Sequence, residues 1–240
     1  MISFKSFSAL PLKLLKIVSM ESKSAQKYEC IIFDCDNVLV DTEAIMLSVL
    51  VEIVKDFGVN MTVEEAVYKF CGKPMQEIIS NLEAIANSKF PEDFESRYRA
   101  ISYEKFRKEL QPKDGVQELL ANIEVPFCVA SNGPRQKIEL NLGLTGLLQF
   151  FTPETIFSAY DINHWKPDPQ LYIHASKAMG FLPSQCVVIE DSLPGIEAGI
   201  KGGFKVYGLS NGFNNQELAE KGAIVFNDMR ELHTLLRIKK

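Results

Sequence analysis

The stretch 33–43, FDCDNVLVDTE, follows a short apolar run of Cys30, Ile31 and Ile32, so it begins where a buried β-strand should be ending. Asp34 and Asp36 then emerge at the carboxyl end of that strand. Ligands bind at this end of open α/β sheets, and two unpaired carboxylates there are costly unless a cation or hydrogen bonds compensate them. A divalent metal is the simplest compensator. A hard cation such as Mg²⁺ prefers oxygen ligands, and a carboxylate beside it stays free for nucleophilic or acid/base work on a phosphate. Asp-x-Asp pairs also occur in solvated loops, so the reading depends on what the other strand ends carry.

After Thr42 the pattern becomes helical, with Ile45, Val49 and Ile53 set against Glu52 and Asp56, and Gly58 stops the run. Helical patterns continue over 62–70, opened by a T-x-x-E capping pattern, over 74–86 and over the charged segment 94–110. No strand pattern interrupts residues 45–111, and the cluster 111–115, QPKDG, is turn-forming. Beyond it helix and strand alternate, with apolar strand candidates at 126–130, 155–157, 186–189, 205–209 and a shorter one at 223–226. Such alternation implies parallel strands with right-handed crossovers. The expected architecture is therefore α/β, a Rossmann-like parallel-sheet core formed by 27–44 and 112–240, with an all-helical domain, 45–111, inserted into it. The cluster Gln111 to Gly115 suits a linker or hinge.

The chain can bury a substantial core, being 240 residues long with 46% hydrophobic and 24% charged residues. Its net charge of -5 argues against a nucleic-acid partner, which needs a basic surface. Cys30, Cys35, Cys71, Cys128 and Cys186 form an odd set without C-x-x-C spacing, mostly in or beside apolar runs, and read as reduced core residues of a cytoplasmic protein. Cys35 has no visible partner base, so packing is its expected role rather than nucleophilic attack. In residues 1–26, Lys13 and Lys16 break the hydrophobic stretch after Pro11, which spoils both a secretory segment and a stable membrane insertion. This N-terminal extension is expected to be disordered or dispensable, with an interfacial amphipathic helix as the alternative and Met20 as an alternative start.

Three later strand ends carry polar residues suited to a phosphate and its metal. In SNGPR, 131–135, Ser131 offers a hydroxyl, and the backbone N–H groups around Asn132 and Gly133 precede a helix that Pro134 would open. In WKPDP, 165–169, Lys166 sits between residues that hold the chain extended, so its ammonium could neutralise phosphate oxygen. In EDSLPG, 190–195, Glu190 and Asp191 supply acidic oxygens for Mg²⁺ from a second strand, and Ser192 could orient them. His164 and Trp165 are expected on the surface or in packing, and His174 and His233 lack metal-ligand spacing.

In this order and arrangement the chain resembles the haloacid dehalogenase (HAD) superfamily of phosphotransferases, in the branch with a helical cap inserted after the first motif. The resemblance spans about residues 28–230 and covers all four motifs of that superfamily. It implies a Mg²⁺-dependent phosphatase acting on a small phosphorylated metabolite, in which Asp34 forms an aspartyl-phosphate and Asp36 protonates the leaving group and then activates water. It further implies that Ser131, Asn132 and Lys166 hold the phosphoryl group, and that Asp34, Asp36 (through its main-chain carbonyl), Glu190 and Asp191 place the metal. The helical domain would be a cap that closes over the substrate and selects it, with hinges near Thr42 to Ala44 and Gln111 to Gly115.

Two departures narrow the activity. Glycine commonly follows the second aspartate in this family, whereas this chain has Asn37, the non-glycine residue most tolerant of positive φ. The similar β-phosphoglucomutases carry a histidine where this chain has Met46, and a basic pair around a cap-loop glycine where it reads Cys71, Gly72, Lys73, Pro74, Met75. Hydrolysis of a sugar phosphate, with 6-phosphogluconate-type substrates among those implied, is thus favoured over mutase chemistry. Lys73 is the candidate substrate contact from the cap, whereas Arg97, Arg99 and Arg107 are expected to decorate a polar helix face. The remaining alternatives are a mutase-like phosphotransferase and a non-catalytic anion-binding module. The expected assembly is a monomer or a weak homodimer.

Overall fold

The computed structural model describes residues 28–70, 73, 75–212 and 214–236. The expectations for the N-terminal extension, Cys71, Gly72 and Pro74 lie outside the described residues. Six short apolar runs pair in parallel: β1 Cys30–Phe33, β2 Phe127–Ser131, β3 Ile156–Ser158, β4 Cys186–Glu190, β5 Lys205–Leu209 and β6 Ile224–Phe226, in the order β3-β2-β1-β4-β5-β6. The strand carrying the first aspartates is central. Phe33 stands beside Val129 on one side and Ile189 on the other, so the ends of β1, β2 and β4 are level.

Both faces of the sheet are covered, which is why its strands read as continuous apolar runs rather than alternating ones. Ile31, Phe33, Val129 and Ile189 face one core with Val116, Leu119 and Ile138. Cys30, Ile32, Cys128 and Val188 face the other with Leu171, Tyr172 and Ile196. The helices that supply these layers are α5 Val116–Asn122, α6 Arg135–Leu144, α7 Ala159–Ile162, α8 Gln170–Ala178, α9 Leu193–Lys201, α10 Asn215–Glu220 and α11 Leu232–Leu235. Cys30, Cys35, Cys128 and Cys186 are buried and free.

Between β1 and α5 run α1 Glu43–Val54, α2 Val63–Phe70, α3 Met75–Ala86 and α4 Phe94–Glu109. Local chemistry sets their ends. Gly58 takes φ 75 beyond α1, where a side chain would be strained. At α2, Thr62 and Glu65 make the reciprocal cap that their spacing predicts: the Thr62 N–H donates to Glu65 Oε2 (2.8 Å) and the Glu65 N–H to Thr62 Oγ1 (3.2 Å). These helices have a hydrophobic core of their own, built on Leu50, Val54, Phe70, Ile78, Leu82 and Tyr98. Phe57, Phe90 and Phe94 close it, with the last two ring centroids 4.4 Å apart.

The two chain passages between the helical block and the sheet lie side by side. The Asp41 N–H donates to Gln111 O (3.0 Å), the Lys113 N–H donates to Leu39 O (2.9 Å), and Lys113 Nζ pairs with Asp41 at 3.1 Å. Among the described residues no helix is long and apolar enough to cross a membrane.

Because Leu82 is fully buried in the core of the helical block, Leu82→Ala should lower the unfolding free energy by about 2–5 kcal/mol, read from urea denaturation.

Candidate active site

β1 ends at Phe33, so Asp34 is the first residue past the sheet, and its N–H still donates to Ile189 O of the neighbouring strand (2.9 Å). Its carboxylate accepts from Lys166 Nζ at 2.5 Å, and the same ammonium reaches Glu190 Oε1 at 2.8 Å. All three side chains are almost wholly shielded from solvent, with exposures of 3% for Lys166, 10% for Asp34 and 1% for Glu190. Burial works against the Lys166 ammonium, but Asp34 and Glu190 outweigh it and lift its pKa above the ordinary lysine value. Lys166 therefore stays charged.

Lys166 lies in the loop between α7 and α8, ahead of a cis Lys166–Pro167 peptide bond. Asn132 fixes that loop from both sides: its Oδ1 accepts from the Lys166 N–H (2.9 Å) and its Nδ2 donates to the Lys166 carbonyl (3.3 Å). Tyr172 on α8 places its ring 4.7 Å from the ammonium and donates its hydroxyl to Glu190 Oε1 (2.9 Å). Ser131, the last residue of β2, is buried, and its hydroxyl accepts from the Gly133 N–H (3.1 Å).

Glu190, expected among the metal ligands, is held by contacts within the protein. Its Oε1 accepts from Lys166 and Tyr172, and its Oε2 accepts from the Asp191 N–H (2.8 Å), the Ser192 N–H (2.7 Å) and the Ser192 hydroxyl (2.9 Å). Those contacts use its acceptor capacity. The carboxylate occupies space that a side chain at position 195 would need, since a Cβ on Gly195 would lie 1.7 Å from Glu190 Oε1. Glu190 thus anchors Lys166 from beneath.

The Asp36 carboxylate is also engaged, accepting from Lys137 Nζ (2.5 Å) and from Asn141 Nδ2 (3.3 Å), both on α6. Burial opposes the Lys137 charge, and the adjacent Asp36 carboxylate outweighs it, so the Lys137 pKa is raised. Asn37 takes φ 60, as its tolerance for that region allows, and its Oδ1 accepts from the Glu43 N–H at the start of α1 (2.8 Å).

Among the described residues no group of three or more acidic, histidine or cysteine side chains is assembled around one point. Asp34, Asp36, Glu190 and Asp191, the expected metal ligands, all line one cavity. Burial, followed by the negative charge of Glu190, pushes the Asp191 carboxyl well above the ordinary range. Asp34 is raised too, by burial and by Glu190 and Asp36, against the pull of Lys166. Two carboxylates held in such repulsion are a suitable donor set for Mg²⁺, which is usually bound by one or two carboxylates, water and substrate phosphate. The Asp36 main-chain carbonyl is a third candidate oxygen.

These groups line a cavity of about 240 Å³. Asp34, Asp36, Ser131, Asn132, Lys166 and Asp191 form its polar side, and Leu47, Leu50, Phe70, Ile78 and Tyr98 of the helical block face it. Lys73 also lines it, while pairing with Glu77 at 2.6 Å. His164 and Trp165 are not part of this lining: His164 Nδ1 meets Asp168 at 3.0 Å, and Trp165 is exposed, edge-on to Tyr160. Arg99 and Arg107 pair with Glu95 and Glu104 on their own helix. Burial pushes the Cys35 thiol well up, in keeping with packing rather than attack.

Sequence reasoning missed Lys137, Asn141 and Tyr172. The four-residue spacing of Lys137 and Asn141 on one helix face was the available signal for the first two. Nothing local marks Tyr172.

A family model described as haloacid dehalogenase-like hydrolase matches residues 31–209. The chain is 34% identical over 216 residues to the 6-phosphogluconate phosphatase of Escherichia coli, covering 89% of this chain and 96% of that protein. A conserved haloacid dehalogenase-like protein of unknown function from Agrobacterium tumefaciens superposes with a TM-score of 0.81 at 28% identity, covering 88% of this chain and 98% of the other. A HAD family hydrolase from Deinococcus radiodurans, with bound phosphate and sodium, gives a TM-score of 0.77 at 28% identity over 88% of this chain and 96% of the other.

Lys166→Met would leave Asp34 and Glu190 buried without their cation. In metal-free buffer at neutral pH this variant should lose about 3–5 kcal/mol of unfolding free energy in a denaturant titration.

Proposed function

This chain belongs to the haloacid dehalogenase-like hydrolase family, and from that premise we propose that it is a Mg²⁺-dependent phosphatase of a small phosphate monoester, working through an aspartyl-phosphate on Asp34. The observation that carries the reading is a buried aspartate held by a buried lysine, beside Ser131 and Asp36, at the floor of one cavity. The phosphate bound by the Deinococcus relative supports the same class of ligand.

Lys166, Ser131 and the N–H groups of the 131–133 turn would bind the phosphoryl oxygens and fix phosphorus in line with an Asp34 carboxylate oxygen. Attack forms the Asp34 O–P bond and breaks the ester P–O bond, and the departing oxygen takes a proton from the Asp36 carboxyl. Water then attacks phosphorus and gives a proton to Asp36, the Asp34 O–P bond breaks, and inorganic phosphate leaves with the Asp34 carboxylate restored. A bound Mg²⁺, held by Asp34, Asp191 and the Asp36 carbonyl, would supply charge neutralisation at the phosphoryl oxygens. The helical block serves as a cap: its apolar wall excludes bulk water, and the expected hinges at 42–44 and 111–115 adjoin the paired passages at 39–41 and 111–113.

A sugar phosphate is the substrate class we favour, on the strength of the Escherichia coli relative. A mutase would need a second cationic grip for a distal phosphate. Among the described residues that line the cavity, only Lys73 and Lys166 are cationic, and both are already paired. The free buried thiols support a reducing, cytoplasmic setting.

The test is phosphate release from a panel of sugar phosphates, nucleotides and small esters. EDTA should abolish turnover and added Mg²⁺ restore it. Asp34→Asn should lower kcat by about 10³-fold or more. Turnover that persists in Asp34→Asn would rule out the covalent route.

A further inference from the structure

The proposed chemistry asks Asp36 to give a proton and take one back, yet it assigns nothing to the two α6 side chains that grip its carboxylate. Lys137 Nζ lies 2.5 Å from Asp36 Oδ2, and Asn141 Nδ2 lies 3.3 Å from Oδ1, so each oxygen has its own donor. Both donors are deep in the molecule: the Lys137 side chain is 11% exposed and Asn141 is fully buried. They are four residues apart on one face of α6, and sequence separations of 101 and 105 residues from Asp36 show that only the fold brings them there.

Two features mark this grip as more than packing. Among the described residues the Asn141 Oδ1 is buried without a hydrogen-bond partner, a state proteins seldom tolerate, so what this amide contributes lies at its other end, the N–H aimed at Asp36. The aliphatic stem of Lys137 passes Gly133, where a Cβ would stand 3.4 Å from Lys137 Cδ, so the ammonium arrives alongside the turn that carries Ser131. One rigid helix thus ties the Asp36 carboxylate to the phosphate-binding turn.

We propose that Lys137 and Asn141 are positioning residues that fix the Asp36 carboxylate for proton transfer to the leaving oxygen. The inference rests on the phosphatase reading above and goes beyond it. Proton transfer works over hydrogen-bond distances, and a misplacement of about 1 Å can cost about 10²-fold in rate. Their loss should therefore be felt when departure needs a proton, and much less when it does not.

The experiment measures kcat/KM, which reports cleavage of the ester bond, for an aliphatic sugar phosphate and for p-nitrophenyl phosphate, whose leaving group departs without a proton. Native enzyme is compared with Lys137→Met, Lys137→Arg, Asn141→Ala and Asp36→Asn, after circular dichroism shows each variant folded. Lys137→Met should lower kcat/KM for the sugar phosphate by about 10²-fold and for the aryl ester by no more than about 5-fold, with Asn141→Ala showing the same bias more weakly. Lys137→Arg, which keeps the charge and the donor, should recover most of the loss. Equal losses on both esters, or no loss, would overturn the positioning role. If Asp36→Asn itself shows no bias between the esters, the acid/base assignment fails and the inference goes with it. If Asp36→Asn shows the bias and Lys137→Met does not, the inference alone fails.

Discussion

A lysine buried between two carboxylates organises this site. Removing three charged groups from water carries a large desolvation penalty, which is offset only where geometry and further hydrogen bonds are both good. The surrounding structure supplies both. Asn132 fixes the backbone of Lys166, Tyr172 flanks its ammonium, and the N-terminus of α9 closes over Glu190, with Gly195 leaving room for that carboxylate. Each group comes from a different segment, so the ion triad also locks β1, β4, α8 and the Lys166 loop in one relative arrangement. A site held this way places Asp34 without needing the substrate to do so.

Charge is unevenly distributed around that triad. Lys166 compensates Asp34 and Glu190 from one side, and Lys137 compensates Asp36 from another. Asp191 is raised in pKa first by burial and then by the negative charge of its neighbours Glu190 and Asp34. The local excess of negative charge is what makes a cation together with a phosphate group an electrostatically reasonable pair of guests. It also distinguishes the roles of two adjacent carboxylates, since Glu190 is consumed by internal bonds and Asp191 is not so enclosed.

The cavity joins two unlike surfaces. Its floor is the polar carboxyl edge of the sheet, and its opposite wall is the apolar flank of a helical block with its own core. Interactions with a phosphoryl group gain strength when water is excluded, because the effective dielectric falls. The block connects to the sheet through two passages hydrogen-bonded to each other.

The parallel strands, the inserted helical run, the Thr62–Glu65 cap and the positive φ at Asn37 were legible from the chain alone, because each depends on local periodicity, capping chemistry or backbone sterics. Asp34, Ser131 and Asp191 stand at or just beyond strand ends that the same periodicity marks, whereas Lys166 follows α7 and reaches them from its loop. Side-chain direction was not legible. Glu190 and Asp191 are neighbours in sequence, but one is the last residue of β4 and the other the first beyond it, and only folding revealed that Glu190 turns toward Lys166. The pairing of Asp36 with Lys137 and Asn141 likewise joins residues about a hundred positions apart, across helices whose packing no local pattern encodes. Sequence by itself determined which chemical groups reach the carboxyl edge of the sheet, because strand ends are set locally. Tertiary structure decided which of them neutralise one another and which remain for a ligand, because that depends on distances between segments that meet only in the folded chain.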